Sequence, residues 1–168
     1  MHRFFGIGLV AALLVAGSFA ATGVQADEER PAWVAVLSGS QEVPAVDTRA
    51  RGQAFFQLSD DMETIRFRLV VANIVDVMMS HIHLAPAGTN GGIVVWLYPS
   101  AAPAVLIPGR SDGILAEGVI DAGDLVNALA GKPISDLLAA FNSGGAYVNV
   151  HTTAHGGGEI RGQVYPAS

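Results

Sequence analysis

Apolar and polar residues alternate most regularly between Thr64 and Ala72, where Ile65, Phe67, Leu69 and Val71 face one way and Arg66 and Arg68 the other. A period of two describes a strand with one buried and one wetted face. Ser59-Asp60-Asp61 before it is turn chemistry, so Gln53 to Leu58 and Thr64 to Val71 predict a hairpin. Segments rich in β-branched and aromatic residues recur between turn signals at Trp33 to Leu37, Gly52 to Leu58, Thr64 to Ala72, Met79 to Leu84, Ile93 to Tyr98, Gly113 to Ile120, Ala146 to His151 and Glu159 to Tyr165. Helical signal is confined to residues 124–141. Asp124 to Ala130 stops at Gly131, and a second turn of helix opens at Pro133 or Ser135 and runs to Phe141. Leu125, Leu129, Leu137, Leu138 and Phe141 would dock this connection on a sheet. The pattern predicts an all-β fold, an antiparallel β-sandwich or flattened barrel of about eight strands with one short helical connection.

The N-terminus breaks this pattern. Arg3 supplies a positive start, Phe4 to Ala16 an apolar run and Val24-Gln25-Ala26 a small-residue cleavage site, so Met1 to Ala26 reads as an export signal. The apolar run is too short to span a bilayer. The expectation is a protein that is periplasmic or secreted, with no stable membrane insertion after cleavage and a single domain over residues 27–168. The chain has no cysteine, so no thiolate serves as ligand or nucleophile and stability rests on packing. A formal net charge of −6, with no run of Lys or Arg, argues against nucleic acid or an anionic lipid surface as partner.

The histidines carry the chemistry. His2 falls in the signal, and the other four form two clusters, His81-Ile82-His83 and His151 with His155. Residues two apart on a strand share a face, with Cα atoms about 6.5 to 7 Å apart, so the rings of His81 and His83 converge while Ile82 faces the core. In Ala146 to His151 the small and branched residues take one face, leaving Tyr147, Asn149 and His151 on the other. Imidazoles so placed suit a copper or zinc ion, with His151 as third ligand. His155, on a loop between Thr152-Thr153 and Gly156-Gly157-Gly158, is a further candidate. The competing reading makes all four hydrogen-bonded or exposed polar residues. Met79 shares the His81 face and offers a thioether. Proton competition for free imidazoles would set in near about pH 6.5. No Gly-x-Ser-x-Gly nucleophile elbow occurs.

Several strings together resemble the CHRD domain, named after chordin and common in exported bacterial proteins. They are Leu37-Ser38-Gly39-Ser40-Gln41-Glu42-Val43-Pro44, Gly52-Gln53-Ala54, His81-Ile82-His83, Tyr147-Val148-Asn149-Val150-His151-Thr152 and Gly158-Glu159-Ile160-Arg161-Gly162-Gln163. The resemblance spans roughly residues 33 to 165 and implies an extracytoplasmic all-β module. Within these strings, Tyr147 and Asn149 are placed to fix the imidazole tautomers, and Glu42 with Arg161 to form a clasp between the first and last strands. The leading expectation is a copper (or zinc) binding, storage or delivery protein. Its rival is an extracellular module that contacts a protein or polysaccharide without metal. A third reading, an enzyme like copper-zinc superoxide dismutase, lacks the His-rich zinc-bridging loop and the disulfide cysteine.

Overall fold

The alternation at Ile65 to Val71 is the first half of one 20-residue strand, β3 (Ile65–Leu84). The computed structural model describes residues 32–167, and the export signal expected at 1–26 lies outside them. Around β3 stand β1 (Ala32–Ser38), β2 (Arg51–Leu58), β4 (Gly92–Tyr98), β5 (Ile107–Ile120), β6 (Ala146–Thr152), β7 (Ile160–Gln163) and β8 (Tyr165–Pro166), with one α-helix, α1 (Ile134–Asn142). All pairings are antiparallel. One edge of β3 pairs β2 along Ile65–Ala72 and β6 along Val77–Leu84, while its other edge pairs β5 and then β4. β1 joins β2 to β7, and β7 joins β6, so five strands close into a flattened barrel that β4 and β5 extend. The all-β, eight-strand architecture is the one the alternation predicts.

Several elements differ from the sequence expectation. Thr64–Ala72 and Met79–Leu84 are not separate strands. Asn73 and Asp76 take left-handed φ of 59° and 55°, which Asn and Asp tolerate better than most residues, and the strand continues through register shifts there. Polar contacts from β5 clamp the bulge: Asn73 N donates to Asp112 Oδ1 at 2.8 Å, and Gly109 N donates to Asp76 Oδ1 at 2.6 Å. The strand expected at Gly113 starts at Ile107 because it follows β3 through this bulge. Glu159 to Tyr165 divides into β7 and the two-residue β8.

The helix expected over Asp124 to Ala130 is replaced by two 3-10 turns, Ala122–Asp124 and Asn127–Leu129. Between them Val126 is extended and donates to Val94 O at 2.9 Å, while Asn127 Nδ2 donates to Ile93 O at 2.9 Å. Hydrogen bonds to β4 have displaced the intrahelical ladder.

The residues that alternate inward fill one core: Leu37, Phe56, Ile65, Leu69, Ile82, Val148, Val150 and Ile160 among them. Helix α1 plugs its end. Phe141 packs at 5.0 Å from Phe56 and 5.8 Å from Trp33, whose Nε1 donates to Asn142 Oδ1 at 2.9 Å. Leu125, Leu129 and Leu137 are buried with it, as their spacing predicts.

Candidate metal centre

On β6 and the second half of β3 the face turned away from this core is buried too, and here the histidines lie. Ile82 enters the core, so His81 and His83 emerge opposite it, at 0% and 7% exposure. Across β6, His81 stands opposite Asn149, His83 opposite Tyr147, and Met79 opposite His151. The His151 ring therefore reaches His81 along the diagonal of the ladder. His151 is 6% exposed. Each of the three histidines offers a nitrogen within 4.8 Å of the other two. His81 Nδ1 and His151 Nε2 are 3.2 Å apart, close to the ~3.3 Å edge of a tetrahedron with metal–nitrogen bonds of about 2.0 to 2.1 Å.

Backbone carbonyls fix the protons. His83 Nδ1 lies 3.0 Å from Gly91 O and His151 Nδ1 3.0 Å from Gly156 O. Carbonyls only accept, so these two nitrogens carry N–H and the Nε2 atoms present lone pairs. His151 Nε2 then accepts from His81 Nδ1, which leaves His81 Nε2 buried with no hydrogen-bond partner. Asn149 Oδ1 is placed 3.0 Å from His83 Nε2; a neutral ring protonated at Nδ1 calls for the amide's NH2 at that position. A buried ring nitrogen without a partner is costly, and a cation between His81 Nδ1 and His151 Nε2 would replace their mutual hydrogen bond and turn the His81 N–H to Nε2.

Burial keeps the cluster uncharged. It lowers the His81 pKa from 6.5 to about 3, with the nearby His151 and His83 adding to the effect. His83 and His151 are also lowered by burial, against the opposing hydrogen bonds to Gly91 and Asn149 and to Gly156. Protonation of the cluster is thereby moved below the free-imidazole range that the sequence alone suggests.

Aromatic rings and loops enclose the site. Trp96, opposite His81 in the β3–β4 register, meets the His81 ring edge-on at 4.2 Å. Tyr147 stacks on His83 at 4.8 Å with 4° between planes, and the Arg161 guanidinium lies 3.4 Å from the Tyr147 centroid. Gly91 N donates to Tyr147 Oη at 3.2 Å while Gly91 O meets His83. A Cβ at Gly91 would collide with the Leu84 carbonyl, so only glycine brings the loop this close.

The other expected residues fall as follows. His155 is outside the cluster: it sits half-buried in the β6–β7 connection, where its backbone N donates to Thr152 Oγ1 at 3.2 Å. Tyr147 and Asn149 both flank His83. Glu42 and Arg161 are both buried but do not bond each other directly. Arg161 donates to Asn90 Oδ1 at 3.3 Å, Pro86 O at 3.2 Å and Gln163 Oε1 at 3.5 Å. The first and last regions of the chain are instead joined through the backbone, Ser38 opposite Arg161. Glu42 Oε1 has no hydrogen-bond partner; burial raises its pKa to about 7 although the positive field of Arg161 opposes this. The nearby Glu159 accepts from Thr48 at 2.7 Å and Thr152 at 2.8 Å.

Trp96, Gly91 and Gly156 escaped the sequence reading. Trp96 was within reach, because counting back through the Pro86–Gly92 hairpin loop brings β4 alongside His81 and His83. Gly91 and Gly156 act through backbone carbonyls, which leave no side-chain signal.

A family model described as the CHRD domain matches residues 33–164. No curated protein and no solved structure matches the chain.

Proposed function

The chain belongs to the CHRD domain family, and on that premise we propose that it is an exported metal-binding module in which His81, His83 and His151 hold a transition-metal ion, copper before zinc, for binding, storage or delivery. One observation carries the reading. Three buried imidazoles on one face each offer a nitrogen within 4.8 Å of the other two, with His81 Nδ1 and His151 Nε2 at 3.2 Å. Among the described residues no carboxylate joins the three histidines, and the sequence has no cysteine and no Gly-x-Ser-x-Gly elbow, which favours binding over catalysis. Among the described residues no helix is long and apolar enough to cross a membrane.

Equilibrium dialysis with elemental analysis tests this. One metal per chain in the parent is expected, with loss in His81→Ala and His151→Ala and retention in His155→Ala. A second reading, a metal-free interaction module for a protein or polysaccharide, draws on the exposed Val36, Phe55, Ile114 and Val119 of β1, β2 and β5. Only trace metal, unchanged across the three variants, would select it.

A further inference from the structure

Resting on the metal reading above, we propose that the centre selects a monovalent ion, Cu(I), over Cu(II) and Zn²⁺. The argument is one of charge. All three donors are neutral imidazoles, and among the described residues no carboxylate joins the group. Both oxygens of Glu159 already accept from threonine hydroxyls, and Glu42 lies against Gly158, where an added Cβ would strike its carboxylate. The charge coupled to the cluster is positive. Tyr147, on the strand between β3 and β7, is stacked by His83 and lies under the Arg161 guanidinium, 3.4 Å from its centroid.

The cost of moving an ion from water into a low-dielectric site rises with the square of its charge, so a divalent ion carries about four times the penalty of a monovalent one. Repulsion from Arg161 doubles as well. Divalent sites ordinarily meet these costs with anionic ligands or a solvent-facing position, and this site offers three neutral donors at 0%, 7% and 6% exposure. Imidazole accepts either copper state, and soft thioethers favour Cu(I). Met79, next on the His81 face and opposite His151 in register, brings one to the edge of the cluster.

The test titrates the purified protein anaerobically with Cu(I) held by a chromophoric chelator, and in parallel with Zn²⁺ and Cu(II) by dialysis, in parent and Asn149→Asp proteins. Asn149→Asp is nearly isosteric and sets a carboxylate where the amide now meets His83, supplying the missing anion. The parent is expected to hold one Cu(I) about 100-fold more tightly than Zn²⁺, and the variant to narrow that gap about tenfold. Zn²⁺ or Cu(II) bound as tightly as Cu(I) in the parent overturns the selectivity while leaving the metal reading intact. An unchanged gap in Asn149→Asp overturns its electrostatic basis. Binding of none of the three ions overturns both the selectivity and the reading beneath it.

Discussion

Along Ile65–Ala72, β3 buries Ile65, Phe67 and Leu69 and gives Arg66 and Arg68 to solvent, where Arg68 pairs with Glu117 at 3.0 Å with both side chains more than half exposed. Along Ser80–His83 the same strand is buried on both faces. The backbone alternation is the same in the two halves; what differs is the cover. Over the second half lie the Pro86–Gly92 loop and the β6–β7 connection, held by Arg161, His83 and His151 through hydrogen bonds to carbonyl oxygens and Asn90, and Asn90 Nδ2 in turn donates to Val43 O beside Glu42. A permanently charged arginine on the open half stays hydrated at little cost. Under the loops each polar group is either one that stays neutral, as the histidines do, or an ion such as Arg161 with several acceptors. The second half is thus a polar core, in which each group depends on its partners.

The largest expected contrast is between two arginines. Arg161→Met strips the carbonyls and amides around it of their donor and removes the Tyr147 contact, and should lower stability by about 3 kcal/mol or more. Arg68→Met on the open half should stay within about 0.5 kcal/mol of the parent. Urea melts of the two measure this, and equal losses would show that the covered half is no more dependent on its arginine than the open half.

Two neighbouring glycines should differ as well. Gly91→Ala forces a methyl against the Leu84 carbonyl and should cost about 2 kcal/mol, with His83 shifted in the NMR spectrum. Gly92→Ala meets nothing within 4 Å and should be near neutral. Similar melts for both would mean the loop is not seated on the cluster.

Acid should act on the covered half selectively. His81 in the folded protein resists protonation down to about 3, against 6.5 unfolded. Its contribution to stability is therefore present above pH 6.5 and is lost as pH falls toward about 3, because the unfolded chain takes up a proton that the buried ring refuses. The slope approaches about 1.4 kcal/mol per pH unit for one proton. Metal-free His81→Leu should show a shallower acid limb in melts from pH 7 downward; an identical limb would place the titration elsewhere.

Glu42 should respond to pH in the opposite direction. Its folded pKa is raised to about 7 from 4.5, so its contribution is present below 4.5 and lost as pH rises through about 7. Glu42→Gln, which cannot ionise, should gain on the parent between those limits. A stability difference constant across that range would refute the shift.

The sequence by itself determined what repeats over short distances. Period two put Ile65, Phe67 and Leu69 in the core, set Ile82 opposite His81 and His83, and set Val148 and Val150 opposite Tyr147, Asn149 and His151, because successive side chains of a strand must leave opposite faces. Leu125, Leu129, Leu137 and Phe141 were legible as docking residues, although the helix drawn through the first two was not formed. Tertiary structure decided which chain segments meet. Only sheet register brought His151 rather than His155 to His81, 70 positions away. Only the loops turned the histidine face from a wetted surface into a buried one, lowering its pKa values. Only closure of the Pro86–Gly92 loop over β7 gave Arg161 its acceptors in place of Glu42. Alternation is a property of one strand's backbone, readable residue by residue, whereas burial and pairing arise when separate segments close on one another, and no local pattern encodes that closure.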